Sequence, residues 1–268
     1  MKLFSMFSGL GGFEIGFKQV YGKDLEVVGY SEIDKYAISV YEKQFPGIKN
    51  FGDATKIVPE DIPDFDILTG GLPCQSWSIA GKRKGFEDAR GTMWYEAFRI
   101  TNIKKPKFLL FENVKGLISH NKGKSIEQIL ECICDLGYAM DFEILNSKNY
   151  GVPQNRERVF IMCVREDLLE KDQIIYGNPI EDKSYPKPTK TIDKIKERLL
   201  CNPKIKMIPF NFPQGTAGIC RLSDIIENNV DQKYYLSEKM VNYLMERTKQ
   251  TKDHHKPNIV EHCEAQEQ

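Results

Sequence analysis

The sequence predicts an α/β fold built on a doubly wound, mostly parallel β-sheet. Short apolar runs alternate with amphipathic helical segments along the chain, which is the pattern of strands joined by crossover helices. Glycines and acidic residues collect directly after the apolar runs, where the strands of a parallel sheet end. The run from Lys107 to Phe111 is of the apolar kind that is buried on both faces of such a sheet.

The composition is that of a soluble protein that works in the cytoplasm. The chain has 268 residues, 41% of them hydrophobic, and a formal net charge of +0. Because no apolar run approaches ~18 residues and the start has no signal-peptide pattern, we expect no membrane segment. The seven cysteines contain no CxxC pair, so we expect neither a disulfide framework nor a metal site. A nucleic-acid surface on a neutral chain must be local, or supplied by another chain.

The first strand, residues 2–7, is followed by a glycine turn, Ser8 to Gly12, and a helix. A strand, a glycine turn and a helix N-terminus place backbone N–H groups against the anionic end of a ligand. The spacing departs from G-x-G-x-x-G because Glu14 takes the place of the third glycine. A nucleoside ligand other than a dinucleotide is therefore favoured.

Two carboxylates follow at predicted strand ends. Glu32 comes after the second strand, Leu25 to Tyr30, and falls 20 residues after Gly12, where nucleoside-binding folds place an acid on the ribose hydroxyls. It also suits the N-terminal region of the next helix, and both roles are compatible. Asp53 follows a predicted third strand and is placed to accept from an adenine amine, although alone it would be only a turn aspartate.

The fourth predicted strand, Phe65 to Leu68, leads to Cys74, which is the candidate nucleophile. The alternative is a small buried hydrophobic side chain, as unpaired cysteines often are. The polar loop that follows argues against burial, and its cationic character suits a phosphate backbone. The loop residues expected to contact nucleic acid are Gln75, Ser76, Ser78, Lys82 and Arg83.

The later predicted strands carry further charged candidate residues. Glu112 ends the fifth strand, where it can bond a substrate ring nitrogen, or else is a solvated acid. Helices are predicted from about Gly91 to Ile103 and from Ser125 to Leu136, and strands over 142–145 and 159–164. Arg156 and Arg158 alternate by two, so on a strand edge they would share a face.

Six segments together closely resemble the cytosine-5 DNA methyltransferases of restriction–modification systems. They have the family's order and spacing and cover about residues 1–165. They are FSGLGGFEIG (7–16), SEID (31–34), GDATKI (52–57), GGLPCQSWSIAGKRKGFEDARGTMW (70–94), FENVKGL (111–117) and QNRERVF (154–160).

The resemblance implies a Rossmann-like fold that binds S-adenosylmethionine and releases S-adenosylhomocysteine. It assigns the donor's methionine end to the first turn, the ribose to Glu32 and the adenine amine to Asp53. The full set implied for the cofactor is Phe7, Gly9, Leu10, Gly11, Gly12, Glu32, Ile33, Asp53, Ala54 and Met93.

The resemblance also implies the catalytic roles. Cys74 would add to carbon 6 of a cytosine flipped out of double-stranded DNA, and Glu112 would bond the ring nitrogen and exocyclic amine. Arg158, with Arg156 nearby, would contact the base carbonyl or fix the thiolate.

Residues 166–268 depart from the family and form a second predicted region. This partial extension, mostly helical or irregular, leads towards a target-recognition region, and the family's last two motifs are not found in it. We therefore expect a second polypeptide to carry them, with residues 1–165 as the catalytic domain. A non-catalytic DNA-binding protein and an RNA cytosine-5 methyltransferase remain alternatives. A thiol redox enzyme is disfavoured, since no second cysteine lies near Cys74.

Overall fold

The computed structural model describes residues 1–73, 93–177, 191–213, 215, 222–227 and 229–250. The strands are β1 (Lys2–Met6), β2 (Glu26–Ser31), β3 (Ile67–Gly71), β4 (Phe108–Val114), β5 (Tyr138–Asn146), β6 (Glu157–Arg165), β7 (Ile175–Tyr176) and β8 (Lys206–Met207). The helices are α1 (Gly12–Tyr21), α2 (Lys35–Gln44), α3 (Met93–Lys104), α4 (Lys124–Asp135), α5 (Thr191–Leu200) and α6 (Glu238–Gln250).

All eight strands join one sheet, in the order β2-β1-β3-β4-β6-β5-β8-β7. The first four strands in that order are parallel, and β6 then runs antiparallel to both β4 and β5. The predicted α/β class is confirmed. Because β6 is reversed, its amino-terminal end lies beside the carboxyl end of β4.

One local prediction was wrong. No third strand precedes Asp53: Asn50 forms only an isolated bridge to Tyr30, and residues 54–56 wind into a 3-10 helix. Gly52 has a φ of 69°, which turns the chain out of the extended conformation there. The strand that begins at Glu157 lies inside the sheet, since it pairs on both sides.

The main core combines side chains of the strands with those of α3, α4 and α5. Trp94 of α3 is 1% exposed and packs edge-on against Phe111 of β4, with ring centroids 5.4 Å apart. Leu199 of α5 is fully buried in the same core. Next to it, Lys196 pairs with the buried Asp141 of β5 at 2.6 Å. The extension after residue 165 thus adds two strands and a helix to the sheet and its core.

The chain divides into two compact units, Met1–Cys220 and Arg221–Gln268. The second contains α6, on which Met240 is about half exposed. The functional division expected at residue 165 stays a prediction. None of the helices in the described part of the chain is long and apolar enough to cross a membrane.

Candidate active site

The polar strand ends predicted from the sequence meet at one edge of the sheet. Met6 of β1 is in register with Ser31 of β2 and with Gly70 of β3. Gly71 is in register with Glu112 of β4. The residues that follow these strands therefore lie in one row, because parallel strands end on the same side.

The glycine turn after β1 is held in left-handed backbone conformations. Phe7 has a φ of 52°, which is uncommon for a side chain other than glycine and typical of functional turns. Gly9 and Gly11 have φ values of 55° and 85°, and the Gly11 N–H donates to the carbonyl of Ser8 at 3.0 Å. A Cβ on Gly11 would lie 2.7 Å from the Phe45 ring, so α2 packs directly under this turn.

Glu32 connects the glycine turn to the end of β2. Its Oε2 accepts from the Gly9 N–H at 2.9 Å, and its Oε1 accepts from the N–H groups of Ile33 and Asp34 at 2.8 and 2.9 Å. Three N–H donors on one carboxylate hold it in place as a fixed acceptor. The two oxygens retain lone pairs for further donors such as sugar hydroxyls.

The region around the turn suits the expected nucleoside ligand. A Cβ placed on Gly9 or on Gly12 would meet no atom within 4 Å, so the space beside the turn is open. The hydroxyl of Ser8 is buried and, among the described residues, has no hydrogen-bond partner. Open space beside the Glu32 carboxylate leaves room for a ligand at this turn.

Asp53 sits at the N-cap of the short helix that replaces the predicted third strand. Its Oδ1 accepts from the N–H of Thr55 at 3.0 Å and from the Thr55 hydroxyl at 2.8 Å. These bonds lower the pKa of Asp53, with the hydroxyl of Thr55 contributing most. Asp53 therefore stabilises the turn, as the sequence suggested, and it does so through Oδ1 and not through Oδ2.

A buried acid lies beneath the glycine turn. Glu14, in the first turn of α1, is fully buried and accepts from the Tyr41 hydroxyl at 2.9 Å. Burial raises its pKa. Tyr41 in turn stacks on Tyr30 with ring centroids 3.8 Å apart. The sequence showed Glu14 only as a departure from a glycine pattern, and its burial appears only in the fold.

Glu112, near the end of β4, lies close to the two predicted arginines, which stand at the start of the neighbouring antiparallel strand β6 and one residue before it. The Nε of Arg158 lies 2.9 Å from Oε1 of Glu112, and both side chains are about four-fifths buried, with exposures of 23% and 21%. Arg156 is half exposed, and its Nη2 is 3.8 Å from the same oxygen. The pairing makes Glu112 a partly buried acid with a guanidinium held against it.

The chain that enters the cysteine loop is fixed beside Glu112. The Leu72 N–H donates to the Glu112 carbonyl at 3.2 Å, and the Asn113 amide donates to the Leu72 carbonyl at 2.8 Å. Residues 74–92 are not among those described. The predictions for Cys74, Gln75, Ser76, Ser78, Lys82 and Arg83 therefore fall outside the described residues.

The remaining predicted residues differ in exposure. Leu10 and Ile33 are 56% and 74% exposed, so both are open to a ligand. Met93 begins α3 and is half-buried. Ala54 is buried, and its carbonyl accepts from Arg99 of α3 at 3.2 Å.

Sequence reasoning missed the residues that support this site, chiefly Asn50, Arg99 and Asn113. Only Asn113 stood inside a recognised segment, FENVKGL. Within the described ranges, no three His, Cys, Asp or Glu side chains cluster as metal ligands would.

Residues 1–267 match the family described as C-5 cytosine-specific DNA methylase. The chain belongs to this family. It is 42% identical over 261 residues to the orphan methyltransferase M.Rho11sI of Bacillus phage rho11s, across 94% of this chain and 49% of that relative. It is 39% identical over 206 residues to the type II methyltransferase M.HhaI of Haemophilus parahaemolyticus, across 77% of this chain and 59% of that relative.

Solved structures agree with the fold of this chain. A DNMT2 mutant of Spodoptera frugiperda aligns with a TM-score of 0.62 at 22% identity, over 91% of this chain and 65% of that one. The S. pombe Dnmt2 methyltransferase aligns with a TM-score of 0.58 at 18% identity, over 92% and 67%. At these identities the likeness concerns the fold. The chain spans about half the length of the curated relatives it matches first.

Proposed function

We propose that this chain transfers a methyl group from S-adenosylmethionine to carbon 5 of a cytosine in double-stranded DNA, within a restriction–modification system. The observation that carries the proposal is the ion pair between Glu112 and Arg158, at 2.9 Å, in the row of strand ends that also contains Glu32. Gly71, in register with Glu112, is three residues ahead of Cys74. Membership in the C-5 cytosine-specific DNA methylase family supports the same reaction.

The donor would bind along the first two strand ends. Glu32 would accept from the ribose hydroxyls while it keeps the Gly9 N–H, and Asp53 would accept the adenine amine on Oδ2, which lies 3.7 Å from the exposed Lys56 Nζ. Phe7, Gly9, Leu10, Gly11 and Gly12 would surround the methionine end, and Ile33, Ala54 and Met93 would line the adenosine. The donor supplies an activated methyl group on a sulfonium.

The reaction would begin at Cys74. Its thiolate adds to carbon 6 of the cytosine, and the electrons of the ring double bond shift towards carbon 5, with charge taken up at the ring nitrogen. Glu112, held by Arg158, would donate a proton to that nitrogen and accept from the exocyclic amine as the charge develops. Carbon 5 would then take the methyl group as the donor leaves as S-adenosylhomocysteine, and transfer of the carbon 5 proton to a base would release the Cys74 thiolate.

The target base must leave the duplex for this attack, at a cost of a few kcal/mol. Gln75, Ser76, Ser78, Lys82 and Arg83 are the residues proposed to contact the DNA around it. With a net charge of +0, the cationic surface for DNA is proposed to be local. The second polypeptide, the cytoplasmic location and the lack of a metal all stay predictions.

The test is covalent capture by a duplex that carries 5-fluorocytosine in place of cytosine. Fluorine at carbon 5 cannot leave as a proton does, so the adduct between cysteine and base should persist after methyl transfer. We expect mass spectrometry to find it at Cys74, only with donor present, and to find none in Cys74→Ser. Cys201→Ser, at an exposed free thiol, is the matched control and should still be trapped.

The same experiment with RNA in place of DNA distinguishes the RNA methyltransferase alternative. The chain should be assayed alone and together with the product of the neighbouring reading frame, because it spans about half of its first relatives. Absence of an adduct at Cys74 on either nucleic acid in both settings, from protein that binds the donor, would overturn the proposal in favour of a non-catalytic relative.

A further inference from the structure

We propose that Asn50 is a positioning residue that sets the spacing between Glu32 and Asp53, and so the fit of the donor's nucleoside. The inference rests on the proposed function, because it takes these two carboxylates as the ribose and adenine contacts. Asn50 itself is assigned no contact with the ligand. Its role is to join the two chain segments that carry the carboxylates.

The Asn50 side chain bonds to both segments at once. Its Oδ1 accepts from the Glu32 N–H at 3.2 Å and from the Gly52 N–H at 2.9 Å, and its Nδ2 donates to the Glu32 carbonyl at 3.1 Å. A neighbouring strand would likewise bond both the N–H and the carbonyl of such a residue. The backbone pairing with β2 ends at the bridge between Tyr30 and Asn50, and the Asn50 amide continues it at Glu32.

The same segment is fastened to β2 at neighbouring positions. The Phe51 N–H donates to the Tyr30 carbonyl at 2.7 Å, and the Ser31 hydroxyl donates to the Gly52 carbonyl at 2.7 Å. A Cβ on Gly29 would lie 2.5 Å from the Phe51 ring, so the glycine leaves room for this ring against the strand. Asp53 follows immediately, and its position relative to Glu32 is therefore fixed by these bonds together with those of Asn50.

Asparagine is the residue type that this junction needs. Aspartate has the same shape and keeps the acceptor for two N–H groups, but it has no donor for the Glu32 carbonyl. Asn50→Asp therefore sets two acceptor oxygens against each other and should push the Glu32 segment away from Asp53. Asn202→Asp is the matched control, because Asn202 also makes three side-chain bonds, to Glu127, Glu131 and Lys204.

The experiment measures the Kd of two ligands by calorimetry on the full chain, at a temperature where circular dichroism shows each variant folded. S-adenosylhomocysteine carries the nucleoside and the amino-acid end, whereas 5′-methylthioadenosine lacks the amino-acid end. We expect Asn50→Asp to weaken both by the same factor, on the order of tenfold for one misplaced hydrogen-bonding group. Asn202→Asp should lower Tm and leave both Kd values unchanged. If Asn50 had only a structural role, Asn50→Asp would give the same result as this control.

Unchanged binding by folded Asn50→Asp, or a loss confined to S-adenosylhomocysteine, would overturn the positioning role. Should that variant fail to fold, Ser31→Ala makes the same comparison, since it removes only the bond to the Gly52 carbonyl on the same segment. Ser31→Ala should weaken the binding of both ligands by the same factor, and unchanged binding would overturn the inference. If the unmodified chain binds neither ligand, the proposed donor site is what fails.

Discussion

The Oε2 of Glu32 accepts a hydrogen bond from the backbone N–H of Gly9 at 2.9 Å. This bond joins the end of the second strand to the glycine turn after the first, across 23 residues of sequence. The carboxylate proposed for the ribose is thereby part of the structure that shapes the pocket. Ligand affinity and local order at this edge should consequently change together.

Glu32→Gln should weaken binding of S-adenosylhomocysteine by about 10- to 100-fold, the range for one charge-assisted hydrogen bond. The glutamine amide has only one acceptor oxygen. Its NH2 group would face backbone N–H donors that now bond to the carboxylate. Calorimetry measures the loss. Glu26→Gln is the control, because Glu26 begins β2, the strand that leads to Glu32, and lies in an exposed pair with Lys2 at 3.5 Å. Equal Kd values for the two variants would contradict the assigned role.

Gly11→Ala should lower the free energy of unfolding by about 1–3 kcal/mol, as a strained left-handed residue does. Gly11 has a φ of 85°, and a Cβ there would lie 2.7 Å from the Phe45 ring and 3.2 Å from the Tyr41 ring. Gly12→Ala, one residue later, meets no atom within 4 Å and should change stability little. Denaturant unfolding compares the two variants, and a similar loss in both would refute the packing argument.

Arg158→Lys should slow methyl transfer more than Arg156→Lys does. Arg158 directs its Nε at Glu112 from 2.9 Å, and its Nη1 also donates to the Glu157 carbonyl, so a lysine cannot reproduce the fork. Arg156 is half exposed and 3.8 Å from Glu112. We expect a fall in kcat of about tenfold or more for Arg158→Lys. A larger effect at Arg156 would assign the base contact to that residue instead.

Glu14 should make the protein less stable as the pH rises. Burial raises its pKa above the ordinary value of 4.5, so the folded state binds this proton more tightly than the unfolded state. The stabilisation is complete below about pH 4.5 and is lost as the pH rises through the raised pKa. Glu14→Gln, which stays neutral, should remove this part of the pH dependence. Denaturant unfolding over a pH series tests it, with the exposed Glu60→Gln expected to keep the slope.

Lys196→Met should destabilise the first compact unit by about 3 kcal/mol, because it leaves the buried Asp141 without its cation. The two groups are 2.6 Å apart, with side-chain exposures of 21% and 7%. Lys194→Met, on an exposed position of the same helix, should have little effect. Thermal unfolding compares them, and equal Tm values would show that the pair with Asp141 contributes little to the stability of this unit.

The sequence by itself determined the fold class and the order of the polar strand ends. Local patterns carry that information, since an apolar run followed by glycine or an acid marks where a buried strand emerges. The helix predicted from Ser125 to Leu136 is found as Lys124–Asp135, because its apolar residues recur at helical spacing. The family, too, followed from residues that stand close together in the chain.

Only the tertiary structure decided which of these residues meet. Arg158 reaches Glu112 because β6 runs antiparallel to β4, and nothing in either segment specifies the direction of its neighbour. Asn50 resembles an ordinary loop residue until the fold places its amide against Glu32. Glu14 became a buried acid only when α2 was packed over it. Pairing and burial are set by the free energy of the whole chain, whereas a local pattern reports only the conformation of its own segment.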